Sequence, residues 1–179
     1  LTAICRGRIM PGMTSSHDRE AAVAAELSNR LFFRLYQCAN LMHKTGTKAL
    51  DEHGITTQQW AVLGALSRDP VAAEGMTISD LAQFLLVSRQ NLSGVINRLE
   101  AMGCIERVKD STDQRSRRVR LSQAGWPLWT QRMQPAIDGY YAQALGNFSV
   151  GDKIEALHYL NKLLDNLKRV DSPEAEDAE

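Results

Sequence analysis

From Ser88 to Leu99 the chain carries Arg89, Gln90, Asn91, Ser93, Asn97 and Arg98, interleaved with Leu92, Val95, Ile96 and Leu99. Guanidinium and amide groups are the side chains that read base edges: arginine pairs bidentately with guanine, and asparagine or glutamine with adenine, in a major groove. The apolar members recur at three- and four-residue spacing, so on a helix they claim one face and leave the polar set on the others. Ser88 can cap that helix, and its N-terminus can meet a phosphate. The ordinary alternative is a solvated helix face. Gly94 costs about 1 kcal/mol of helix propensity relative to alanine and fits a close approach to another helix or to DNA.

A second group follows directly. Asp113 stands two residues before Arg115, where its carboxylate can orient the guanidinium. An arginine held at a hairpin tip suits the enhanced negative potential of a narrow minor groove. Arg117, Arg118 and Arg120 fit phosphate contacts or the flanks of the hairpin stem. The competing reading is a local surface ion pair worth under about 1 kcal/mol.

The charge distribution supports the first reading. Lys+Arg 21 and Asp+Glu 21 cancel over the whole chain, yet residues 84–120 hold eight basic side chains against four acidic ones. Binding phosphate needs one basic face rather than a basic total.

These residues need elements to hold them. The period predicts a helix from Ala21 to about Glu52, with Leu31, Leu35, Cys38 and Met42 on one arc that Phe32, Tyr36, Ala39 and His43 widen beyond a single packing contact. His53-Gly54 stops it, and Thr56 or Thr57 caps a helix through Trp60, Leu63 and Leu66 that ends before Asp69-Pro70. A loop is expected from Val71 to Gly75. Thr77 or Ser79 then starts a short helix, and the helix capped by Ser88 runs to Gly103, which together make a helix-turn-helix. Cys104–Val108 and Arg118–Leu121 alternate around a polar turn and read as a β-hairpin. Ser122 can cap a helix to about Asn147, tolerant of Pro127 but kinked by Pro135. A last helix begins after Ser149, with Leu157, Leu160, Leu164 and Leu167 at helix-pair spacing. The fold class is mainly α with a small β-hairpin wing, a winged helix-turn-helix.

Composition excludes other classes. At 179 residues and 44% hydrophobic the chain fits one globular domain that needs no staples. Cys5, Cys38 and Cys104 form no CxxC or disulfide framework. No apolar run reaches the ~18 residues of a membrane helix, and no signal peptide is evident, so no membrane partner and a reducing cytoplasm are expected. GxSxG, HExxH, GxGxxG and a P-loop are absent, and His17, His43, His53 and His158 share no catalytic spacing. Neither an enzyme nor a metal or cofactor is expected.

The helix VSRQNLSGVINRLEAMG beginning at Val87, and the wing DSTDQRSRRVRLSQAG beginning at Asp110, resemble those of MarR-type transcriptional regulators. The resemblance spans about residues 25–170, and the D-x-R wing followed by V-x-L-S/T-x-x-G is its most specific part. It implies a homodimer whose first and last helices interlock while two winged lobes grip a palindromic operator on double-stranded DNA. Arg115 then becomes the minor-groove arginine and Asp113 its orienter. On this basis residues 21–170 are one domain, with a DNA-binding lobe at 54–125 and dimerisation helices at 21–53 and 126–170. Composition makes residues 1–20, with Gly, Pro, Ser and Thr and no period, a flexible tail, and 171–179, with five acids and no base, a disordered acidic tail.

The family usually senses a small molecule between the dimerisation helices and the lobe. Phe32, Tyr36, Asn40, His43 and Trp60 offer aromatic faces with a few hydrogen-bonding groups, which suit a planar aromatic ligand; each taken singly also fits plain packing. LFFRLYQCAN and TTQQWAVLGALSR are similar to regulators that answer hydroxycinnamoyl-CoA or related aromatic-acid thioesters. A redox-sensing branch carries a reactive cysteine in a pattern like NxLCFxxY, where this chain has Phe32. Cys38, on the apolar arc, is expected to be buried and chemically quiet. The expected function is a dimeric repressor released by an aromatic effector. The rival readings are a winged helix that binds an acidic protein and a redox regulator of the same family.

Overall fold

The computed structural model describes residues 16–109 and 117–172, which fall into two compact units, one extending through Ile137 and the other beginning at Asp138. Helix α1 (Ser16–Leu50) is already formed at Ser16, so residues 16–20 are helical where a flexible tail was expected. Strong helix formers clustered from Glu20 to Glu26 continue the helix upstream without any apolar period. One 3₁₀ turn, Asp51–His53, follows, and Gly54 closes it with φ +64°.

Thr56 caps α2 (Thr57–Leu66) through a capping box with Gln59, satisfying two donors that the helix itself leaves orphaned. The segment expected as a loop instead forms a one-turn helix, α3 (Val71–Glu74), and a two-residue strand, β1 (Met76–Thr77). Gly75 joins them at φ +75°, and a β-carbon there would lie 2.8 Å from the Val119 carbonyl oxygen. Thr77 caps α4 (Ile78–Leu85), and Ser88 caps α5 (Arg89–Ala101). Leu86, in the turn between them, sits in the left-handed region at φ 54°.

Strands β2 (Ile105–Lys109) and β3 (Arg117–Leu121) pair antiparallel, with Glu106 opposite Arg120 and Arg107 opposite Val119. β1 adds to the other edge of β3, a third strand too short for alternation to reveal. Val119, on the central strand, is fully buried with Leu66, Leu81, Ile96 and Leu99, so helix-turn-helix and sheet share one core.

After β3, the Ser122 hydroxyl accepts from the Gly125 N–H at 2.9 Å at the head of α6 (Gly125–Pro127). A π-helical segment, Leu128–Met133, then precedes α7 (Gln134–Ala144). Pro135 was expected to kink this helix. In a regular α-helix a proline would clash with the carbonyl four residues back, and it lacks an N–H; here the widened π turn lies immediately before it. In the second unit, α8 (Val150–Asp171) starts from a capping box between Ser149 and Asp152. The Ser149 hydrogen bonds hold the Asp152 carboxyl below its ordinary pKa. No described helix is long and apolar enough to cross a membrane, and the described residues contain no cluster of three or more potential metal ligands.

Candidate nucleic-acid interface

The face of α5 turned away from the core is built by subtraction. Leu92, Ile96 and Leu99 are buried, which leaves Arg89, Gln90, Asn91, Asn97 and Arg98 exposed. Among the described residues Arg89, Gln90 and Arg98 keep their side-chain donors and acceptors open. Two of the predicted contacts also bond locally: the Ser88 hydroxyl accepts from the Asn91 N–H at 3.2 Å, as the expected cap, and the Ser93 hydroxyl donates to the Arg89 carbonyl at 2.8 Å. Among the described residues, no atom outside its own helix backbone lies within 4 Å of where a β-carbon on Gly94 would stand, so no described neighbouring helix approaches it there.

The hairpin is fastened to α5 by Arg107. Its Nε donates to Glu100 Oε2 at 2.9 Å, and its Nη2 donates to Asn97 Oδ1 at 2.8 Å. Arg120 Nε donates across the ladder to Glu106 at 2.8 Å, and Arg118 reaches the Gly75 carbonyl at 3.1 Å. Arg118, predicted to meet DNA, is therefore half-buried and tied to the backbone before β1, whereas Arg117 is exposed. Asp113 and Arg115 lie outside the described residues.

A cavity of about 270 Å³ opens between α1, α2, α4 and α5, with Met42, His43, Trp60, Leu85, Asn91 and Val95 in its walls. His43 Nδ1 shares a hydrogen bond with the Thr57 hydroxyl, and the close approach of α1 to α2 passes over Gly46, where a β-carbon would meet Thr57 at 2.9 Å. Of the effector residues predicted from sequence, His43 and Trp60 line this cavity. Phe32, Tyr36 and Asn40 do not. They share an arc with His43, but Phe32 stands eleven residues earlier, about 16 Å along the helix axis. Phe32 and Tyr36 are 52% and 68% exposed. Cys38, expected to be buried, is exposed, while Cys104 is buried and burial raises its thiol pKa.

A MarR family model matches residues 53–116, a stretch that carries α2 through β2 and ends just before β3. Over 154 residues the chain is 55% identical to the transcriptional activatory protein BadR of Rhodopseudomonas palustris, covering 86% of this chain and 87% of that protein. The chain belongs to the MarR family. It is 30% identical to the homoprotocatechuate degradative operon repressor of Escherichia coli, covering 68% of this chain and 80% of the relative. Among solved structures it resembles reduced AbfR bound to DNA, at 25% identity and a TM-score of 0.68, over 82% of this chain and 96% of that one. As a MarR-family member it is a winged-helix, DNA-binding transcriptional regulator, and the family comprises regulators rather than enzymes.

Within this MarR fold, sequence reasoning overlooked Arg107 and two residues of the cavity wall, Leu85 and Val87. Arg107 had a legible signal, because Asn97 and Glu100 stand one turn apart on α5 and the glycine-ended helix returns the chain beside them. Leu85 and Val87 had none, since lining a cavity and filling a core require the same apolar residues.

Proposed function

We propose that this regulator works as a homodimer, setting α5 of each protomer into adjacent major grooves of an inverted-repeat operator, with Arg115 in the minor groove and Asp113 orienting it. The observation that carries this reading is the open face of α5: exposed Arg89, Gln90, Asn91 and Arg98 stand over a buried apolar face beside a hairpin rich in arginine. Dimer formation is supported by apolar side chains left uncovered in the single chain, among them Val23, Leu27 and Leu31 on α1 and Ile154, Leu157 and Leu160 on α8. Such work places the chain with the chromosome, in the cytoplasm.

The effector is a small aromatic acid or its CoA thioester, seated against Trp60 and His43. Support comes from the E. coli relative, which is named for an operon that degrades an aromatic acid, homoprotocatechuate. The same cavity borders Asn91, Leu92 and Val95 of α5, so an occupant that prefers one placement of α5 changes the grip on DNA. Coupling of this kind is worth about 1–3 kcal/mol, or about 5- to 150-fold in affinity. An effector with equal affinity for both arrangements would change nothing. The name of the 55% identical relative favours activation over the repression expected from sequence.

The test is anisotropy with inverted repeats taken from the chromosomal surroundings of the gene, at several salt concentrations. Affinity should fall by about a hundredfold or more between 50 and 200 mM salt, as for a protein with many phosphate contacts. Arg115→Ala should weaken operator binding by about 1–3 kcal/mol. Binding without preference for a repeat, or unaffected by salt, would favour the protein-interaction reading. A thermal-shift screen of aromatic acids and their CoA thioesters should find a stabilising ligand. Trp60→Ala should abolish that shift while operator binding persists; a retained shift would return Trp60 to a packing role.

A further inference from the structure

The Arg107 bridge changes what Asn97 can recognise. To read adenine, an asparagine accepts from N6–H₂ with its oxygen while donating to N7 with its nitrogen. Here Asn97 Oδ1 already accepts from Arg107 at 2.8 Å. The same guanidinium is held by Glu100 at 2.9 Å, so it stays beside that oxygen and its positive charge repels a second donor such as N6–H₂. The amide nitrogen of exposed Asn97 makes no hydrogen bond to any described residue. Its two N–H groups match a base edge that offers two acceptors and no donor, which in the major groove is the O6 and N7 edge of guanine, since thymine offers O4 alone.

We propose that Arg107 is a positioning residue that joins α5 to strand β2 and fixes Asn97 as a donor, so that Asn97 selects guanine rather than adenine in each half-site. This rests on the operator-binding reading above. Lysine cannot stand in for Arg107, because one ammonium lacks the planar fork that serves Asn97 and Glu100 together.

The experiment is selection from randomised inverted repeats with the full-length protein, its Arg107→Lys and Asn97→Ala variants and the double variant, followed by anisotropy on the selected consensus and on a scrambled duplex. The wild type should retain one guanine per half-site that becomes random in both single variants. Each single variant should lose about tenfold on the consensus, as for one lost base contact, and little on the scrambled duplex. The double variant should bind no worse than Asn97→Ala, because the two residues act as one unit. Loss of an adenine instead, wild-type selectivity in Arg107→Lys, or equal losses on both duplexes would overturn the inference while leaving operator binding intact. A wild type that selects no repeat overturns the function reading, and this inference with it. Asn97 is exposed, so Asn97→Ala tests the base assignment even should Arg107→Lys lose stability.

Discussion

Alanine in place of Gly125 is expected to lower the thermal midpoint by about 6–12 °C, read by calorimetry or circular dichroism. A β-carbon at this position would stand 1.9 Å from the Cys104 carbonyl oxygen and 2.9 Å from its carbonyl carbon. The obstacle is backbone, which cannot rotate aside as a side chain would. It is also tied on every side: the Cys104 carbonyl accepts from the Ser122 N–H at 3.1 Å, and the Ser122 hydroxyl bonds the Gly103 carbonyl and the Gly125 N–H. Overpacking typically costs 1–3 kcal/mol, and an immobile obstacle puts this case at about 3 kcal/mol or beyond. Each kcal/mol moves the midpoint by about 2–4 °C in a domain of this size. Gly94→Ala is the matched control. Its β-carbon would meet no described neighbour within 4 Å, so helix propensity alone should stabilise the fold by up to about 1 kcal/mol. A similar midpoint for the two variants would mean that the Cys104–Gly125 contact yields without cost.

Ile96→Ala should destabilise by about 2–5 kcal/mol, the range for deleting a buried isoleucine side chain with incomplete collapse of the cavity left behind. Ile96 immediately precedes exposed Asn97 in the chain and is fully buried in the same core as Leu66, Leu81 and Val119. Denaturant melts would report the loss as a lower midpoint with an unchanged slope. Well below its melting temperature the variant should keep the wild-type ratio of specific to non-specific DNA affinity, because every exposed group on α5 remains. A changed ratio would mean that the register of α5 against the core, and not only its surface chemistry, sets base preference.

The cap at Ser88 and the helix start at Ser149 were legible because a hydroxyl followed by a helical apolar period has few other meanings, whereas the pattern left Thr56 against Thr57 and Thr77 against Ser79 open, and the fold takes the first of each pair. The hairpin was legible from alternation, since its inward residues Ile105, Val119 and Leu121 share one parity across the ladder. α3 and β1 were not, because four and two residues are too few to show any period. The start of α1 was missed for a different reason: its first turns are exposed on all sides, so propensity alone sustains them and no pattern marks where it begins. Cys38 was misjudged because an apolar arc identifies a face that needs covering without saying that this same chain covers it. At the site, the residue types of α5 were readable, whereas the use of the Asn97 oxygen by Arg107 depends on a long-range meeting of helix and strand. Phe32 and Tyr36 share a phase with His43, and phase carries no information about distance along the axis.

The pairing of Met76 and Thr77 with β3 has a mechanical consequence. Both edges of β3 are occupied, and Thr77 at the end of β1 is itself the residue that caps α4. Any displacement of the arginine-rich ribbon against the lobe would therefore strain this two-residue tether and, through it, the first turn of the cylinder that carries Leu85 into the cavity wall.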